Sequence, residues 1–264
     1  MNFEKKRILV TVKAYPNPSP KYSETVCCAG IELKTNKWIR LYPIPYRDLD
    51  ENKKFNKYNI IDVTCRKASN DNRPESYKVD IDSIRIVDHM DTKDEWSRRK
   101  EAVLPILSNS MCEVYKEAER KEMSLALIKP KEISFSYKKA NLKDEKSRKA
   151  CYAQQSFFNK EKNAIEQIPF DFYYHFKCED AHNCPGHKLK IIDWEIGQAY
   201  RDWRMRYKGT DLLLEKIQEM WLDEMCSEKK ETYFFVGNMH RFPDIFLVLG
   251  TFYPPKLIQG SLGF

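Results

Sequence analysis

The residues best suited to chemistry gather in one stretch, "FKCEDAHNCPGHKLKIIDWE" at 176–195, with two cysteines, two histidines and four carboxylates. Cys178, Cys184 and His187 follow the spacing C-x5-C-x2-H, and Pro185-Gly186 turns the chain between the last two. Two thiolates and an imidazole meeting at a strand–turn–strand corner suit a tetrahedral zinc ion. A fourth ligand must come from elsewhere. Cys226 is the first choice, because it ends a helix that leads back into the strand "ETYFFVGN"; Cys151 and His182 are substitutes. Cysteines from separate segments also hold iron–sulfur clusters, and Cys151, Cys178, Cys184 and Cys226 make up that alternative set. The plain alternative to both is a polar surface loop.

The "DWE" that follows admits a nuclease reading, with Asp193 and Glu195 as magnesium ligands beside Lys188 or Lys190. The competing reading is structural: Asp193 caps a helix and Glu195 sits in its first turn, where the dipole favours a carboxylate. His240, next to Arg241 in "VGNMHRFPDIF", is a third catalytic candidate, as a base or phosphate contact; its alternative is a solvated loop histidine. No serine or cysteine nucleophile stands in a recognisable setting.

A second constellation is basic and aromatic. Trp38, Arg40, Tyr42, Tyr46 and Arg47 fall within ten positions, and "RPESY" adds Arg73 and Tyr77. On an extended strand Trp38, Arg40 and Tyr42 share one side, a face able to stack bases and pair phosphates unless helices cover it. Residues 129–162 hold ten Lys/Arg against four Asp/Glu, among them Lys138, Lys139, Lys146 and Lys149. Such a run either tracks a nucleic-acid backbone or forms a solvated linker face.

The chain that must position these residues has 264 of them, 42% hydrophobic and 13% aromatic, so a real core is expected. Eight glycines and no G-x-x-x-x-G-K-[ST] or G-x-G-x-x-G argue against phosphate-loop and Rossmann folds. No apolar run approaches a membrane span and "NFEKKRILV" lacks a signal-peptide core, so a soluble cytoplasmic protein is expected. In that reducing compartment the eight cysteines read as core residues or metal ligands. Cys27, Cys28 and Cys65 lie in strand-like runs and read as core.

Five strand candidates fill the first ninety residues: "RILVTVKAY", with Ile8, Val10 and Val12 on one face, "SETVCCAGIEL", "KWIRLYPIP", "YNIIDVTCRKA" and "YKVDIDSIRIV". With one short helical interruption at "YRDLDENKKF" they fit an OB-type barrel; an SH3-like barrel or a compact α+β sheet is the rival. Two helices follow over 91–121, the second with Ser108 as its cap. A helix is expected near 144–155. "FDFYYHFKC", "HKLKII", "ETYFFVGN" and "DIFLVLGTFY" form a second strand set around two helices, beginning after Asp193 and near Thr210. The fold expected is α+β and β-rich: two small OB-like barrels with inserted helices, over 1–121 and 122–264.

"RILVTVKAYPNPSPKYSETVCCAGI", "WIRLYPIP", "RPESY", "CPGHKLKIIDWEIGQAY" and "YFFVGNMHRFPDIFLVLGTFYPPK" together resemble an uncharacterised bacterial family with a dual OB-containing domain, found around genomic-conflict systems. The likeness spans nearly the whole chain. It implies two barrels and a nucleic-acid link, and it carries no catalytic residue over. Some look-alikes lack the Cys-Cys-Gly-His segment and keep "DWE", which implies a structural role for the metal. The function expected is binding of nucleic acid, single-stranded by preference, around a structural zinc. A metal-dependent enzyme on nucleic acid or nucleotides, or a scaffold for an acidic protein partner, are the alternatives.

Overall fold

A computed structural model describes residues 2–14, 17–19, 23–141, 166–179 and 183–256. Seven strands come first: β1 (Glu4–Lys13), β2 (Asn17–Ser19), β3 (Ser23–Glu32), β4 (Lys37–Ile44), β5 (Asn59–Lys67), β6 (Ser76–Val79) and β7 (Arg85–His89). The helices α1 (Lys93–Val103) and α2 (Met111–Glu119) follow. A second strand set comprises β8 (Leu125–Ile128), β9 (Pro130–Lys139), β10 (Phe170–Cys178), β11 (His187–Ile191), β12 (Tyr233–Met239) and β13 (Phe242–Phe252). Between β11 and β12 lie α3 (Trp194–Arg206) and α4 (Thr210–Gln218), the latter running on into a π turn, Glu219–Glu224. The helix expected near 144–155 lies outside the described residues.

Both strand sets close by the same path. In the first, β1 pairs β3, β3 pairs β4, β4 runs parallel to β6, and β6 pairs β5, which returns to β1. Counting these barrel strands in chain order gives 1-2-3-5-4-1, with the third and fifth parallel. In the second, β9, β10 and β11 form a meander, β11 runs parallel to β13, β13 pairs β12 and β12 pairs β8. Since β8 and β9 are consecutive lengths of one bent strand, broken at Lys129, the order is again 1-2-3-5-4-1. This is the Greek-key barrel of the OB type, twice. The connection from third to fourth strand holds two 3-10 turns in the first barrel and α3–α4 in the second.

Alternation explains the two barrel interiors. Ile8, Val10, Ile39, Leu41, Ile61 and Val63 point into the first. Phe172, Tyr174, Phe176, Leu189 and Ile191 point into the second, closed over by α2, α3 and α4. A third core lies between the barrels, where Leu9, Val12, Ala29, Ile31 and Ile60 meet Leu125, Leu127, Phe235 and Phe252. The expectation that Val12 shares a face with Ile8 and Val10 is therefore corrected. A bulge between Val10 and Val12 turns Val12 outward, into this shared core with Leu9. The run "ILV" is apolar on both sides because the barrel's outer wall is itself covered.

The helix caps are partly as read. Asp193 caps α3, its carboxylate accepting from Glu195 N at 3.2 Å. Ser110, not Ser108, caps α2, accepting from Glu113 N at 3.1 Å; Ser108 instead donates its backbone N–H to Leu127 O beside β8. The apolar side of α2 (Met111, Val114, Ala118) belongs to the second core, whereas Val103 of α1 belongs to the shared one. No helix among the described residues is long and apolar enough to cross a membrane.

Candidate metal centre and basic face

The inward face of β10 carries Phe172, Tyr174, Phe176 and, at the strand's end, Cys178, so alternation alone delivers this thiol to the end of the second barrel. The chain comes back through Cys184, turns at Gly186 with φ +86°, and presents His187 as the first residue of β11, in register with Phe176. Glycine tolerates that left-handed turn without a Cβ penalty. From the other side α2 lowers Cys112 onto the same point.

The ligand atoms of Cys112, Cys178, Cys184 and His187 all lie within 4.8 Å of one another. His187 Nε2 is 3.2 Å from Cys184 Sγ, 3.3 Å from Cys178 Sγ and 3.5 Å from Cys112 Sγ; the Cys112 and Cys178 sulfurs are 3.8 Å apart. Metal–sulfur bonds of about 2.3 Å and metal–nitrogen bonds of about 2.0 Å set tetrahedral edges of roughly 3.5–3.8 Å. The four atoms therefore fit a single ion. The Cys178 N–H points at Cys184 Sγ at 3.4 Å, as peptide donors around bound thiolates do. Burial pushes the His187 pKa below its ordinary value, which disfavours the imidazolium form that could not ligate. Tyr115, one turn on from Cys112, stacks on His187 with ring centroids 5.9 Å apart and so fixes the ring's plane.

Cys226 is not part of this group, which corrects the fourth ligand expected from sequence. Its thiol donates to Trp221 O at 3.4 Å, inside the turn that follows α4. The four-cysteine set loses its basis with it, because Cys226 stands away from Cys178 and Cys184. Cys151 and His182 lie outside the described residues. Cys112 was passed over in sequence because it sits 66 positions before Cys178, among charged helical residues. The available signal was its i,i+3 pairing with Tyr115 on the flank of an apolar helix face.

The carboxylates of "DWE" are held by a cation. Lys57 Nζ donates to Asp193 Oδ2 at 2.7 Å and to Glu195 Oε2 at 2.9 Å, joining a loop of the first barrel to the cap of α3. Lys57 and Asp193 are buried; Glu195 is half exposed. Gly250 makes the room, since a Cβ there would stand 3.2 Å from Lys57 Nζ. Burial disfavours the Asp193 carboxylate, and Lys57, hydrogen-bonded to it, works against that cost. A divalent ion on this pair would have to displace the lysine. His240 is in neither group: on the β12–β13 turn, its Nδ1 lies 3.2 Å from Asp71 Oδ1.

The Trp38/Arg40/Tyr42 face is largely given over to joining the barrels, a correction to its expected exposure. Arg40 is buried and donates to Ser124 O at 3.0 Å and Ser124 Oγ at 3.1 Å, while Ser124 N donates to Glu75 Oε1 at 2.8 Å. Trp38 is half buried, edge-on to Phe235 of the second barrel at 5.9 Å. Arg73 grips Asp71 with two nitrogens and donates to Asn238 O of β12 at 2.9 Å. Tyr42 remains exposed, accepting from Thr25 Oγ1, and Arg47 is half buried. Alternation could not expose this because a second barrel, and not the helices of the alternative reading, covers the strand.

The second barrel supplies an open face instead. On the outer side of β9, β10 and β11, the ring of Tyr173 has Lys188 Nζ 4.9 Å and Lys138 Nζ 5.2 Å from its centroid. His175 and Ser136 sit alongside, 2.7 Å apart, and Lys190 pairs with Asp171. Lys138 and Lys139 are exposed at the end of β9; Lys146 and Lys149 lie outside the described residues.

Residues 107–263 match a family described as "Domain of unknown function (DUF8757)". The chain belongs to that family. Residues 4–105 match a second description, "Domain of unknown function (DUF8758)", so the two matches meet between α1 and α2. The DUF8757 match contains all four cluster residues and the whole second barrel. No curated protein matches the chain.

Proposed function

We propose that this protein binds single-stranded nucleic acid on the outer face of its second barrel, with a zinc ion held by Cys112, Cys178, Cys184 and His187 as a structural clamp. The observation that carries the first half is Tyr173 flanked by Lys138 and Lys188. These residues lie on the first three strands of an OB-type barrel, where such folds hold oligonucleotides. An aromatic ring between two ammonium groups gives a base a stacking surface and the flanking phosphates their counter-charge. The formal net charge of +7 favours the same partner over long range.

The donor set supports the second half. Three thiolates and a neutral imidazole within tetrahedral reach are a common set for closed structural zinc, and they leave no position for substrate. They tie α2 to the end of β10 and the start of β11, and so steady the strands that carry the basic face. Fluorescence anisotropy with labelled single strands and duplexes tests the binding. Tighter binding to the single strand, weakened in Tyr173→Ala, is expected; no binding to either at about 50 mM salt would overturn it.

A further inference from the structure

A cavity of about 460 Å³ opens at the seam of the two barrels, walled by β1, the loop before β5, α1, the start of α3 and the end of β13. It shares no residue with the Tyr173 face or the metal centre. Two of its cations have no carboxylate within 4 Å among the described residues. Lys13 is 7% exposed, and its ammonium lies 4.2 Å from the centroid of Tyr46 and 4.9 Å from that of Trp194. Arg99, also 7% exposed, lies 3.7 Å over Tyr58 and 4.9 Å from Trp96, with its Nε donating to Met90 O.

The Lys13 ammonium has no ion-pair partner within 4 Å among the described residues and is not sealed off from the cavity, so a ligand there can reach its three donors. Lys57 does not share this condition, since Asp193 and Glu195 satisfy it. The remaining wall holds the rings of Trp96 and Tyr253, with centroids 5.2 Å apart, the amides of Gln198 and Asn56, and the Glu195 carboxylate, whose charge Lys57 offsets. Trp96 is held there by a left-handed turn, with φ 48°, 54° and 65° at Asp94, Glu95 and Trp96, a conformation L-residues adopt at functional sites more than elsewhere.

We infer that the seam cavity binds a nucleoside phosphate, its phosphate taken by Lys13 and Arg99 and its base lying against the Trp96 and Tyr253 rings. The volume falls within the range of small-ligand sites. Free mononucleotide and the 5′-terminal nucleotide of a strand present the same chemistry, and the experiment separates them.

The full chain is titrated by calorimetry with AMP, GMP, CMP, UMP and inorganic phosphate, following the tryptophan fluorescence of Trp96 and Trp194 in parallel. At least one mononucleotide is expected to bind more tightly than phosphate and to quench fluorescence. Lys13→Met is expected to weaken that binding at least tenfold without lowering Tm, because the lysine has no ion pair to lose; Arg99→Gln weakens it similarly. A 5′-phosphorylated ten-nucleotide strand that binds at least tenfold more tightly than its dephosphorylated twin, and loses this preference in Lys13→Met, identifies a strand end as the source. Equal affinities with mononucleotide binding intact identify the free nucleotide. Lack of binding by all four mononucleotides and by the phosphorylated end at about 1 mM overturns the inference. So does Lys13→Met with unchanged affinity, or with a lowered Tm and no ligand found.

Discussion

Cys112 Sγ lies 3.5 Å from His187 Nε2, although 75 positions, with β8, β9 and β10 among them, separate the two along the chain. The contact is made because α2 packs its Met111–Val114–Ala118 face onto the second core, which brings its first turn over the open end between β10 and β11. One zinc per chain is the expected content, with no visible absorption, since a d¹⁰ ion is colourless where iron–sulfide charge transfer is not. Cys112→Ser, Cys178→Ser and Cys184→Ser should each lose metal and stability, while Cys226→Ser should keep the wild-type metal content. Elemental analysis of the four variants decides it; retention in Cys112→Ser with loss in Cys226→Ser would restore the ligand set read from sequence.

Asp193 has two tasks, and the second changes the expected effect of mutating it. As a cap alone it would accept asparagine at little cost. As the buried partner of Lys57 it would not. Asp193→Asn leaves an ammonium half satisfied and should cost about 3 kcal/mol or more, within the range for breaking a buried pair. Adding Lys57→Met removes the stranded charge, so the double variant should be more stable than Asp193→Asn alone. Denaturant unfolding of the four members of this cycle measures the coupling; additive losses would show that the two groups do not act together.

The strands of both barrels could be approached from sequence because alternation is strong wherever one face meets a barrel interior, as in Phe170, Phe172, Tyr174 and Phe176. The same rule misled at β4. Arg40 stands at a solvent-like position of the first barrel and is buried there, donating to Ser124 of a separate segment, which in turn donates to Glu75. Cys178, Cys184 and His187 were legible because a short turn joins them. Cys112 and Lys57 were not, since each reaches its partners through tertiary packing that no local spacing encodes.

Asp71 gives the pH dependence a definite sign. Burial works to raise its carboxyl, but the Arg73 guanidinium and the Ser76 hydroxyl outweigh that and hold it well below the usual range. Its folded pKa is thus below its unfolded one, so its contribution is complete above about 3.9 and is lost as pH falls beneath that value. Asp71→Asn should cost about 2 kcal/mol at pH 7, by leaving Arg73 without its counter-charge at the junction with Asn238. The gap between wild type and variant, measured by urea unfolding, should narrow as pH falls from about 4 to about 2. A gap that stays constant over that span would mean the carboxylate is not the group being read.

The Tyr173 face makes the most direct claim on function, and it separates two kinds of residue. In the proposed binding mode Lys138 and Lys188 would meet phosphates as point charges, so each replaced by Gln should reduce the slope of log K against log salt by about 0.7 on a single strand. Tyr173→Ala should weaken binding by roughly 1–3 kcal/mol and leave that slope nearly unchanged, because a lost stacking surface releases no counterions. Trp38→Ala provides the contrast. Trp38 packs edge-on against Phe235 between the barrels, so its loss should lower Tm without changing the affinity of the folded protein for a strand. Anisotropy titrations at several salt concentrations, with Tm measured alongside, read all four variants. Should Trp38→Ala weaken binding at full stability while Tyr173→Ala does not, the binding face would be that of the first barrel.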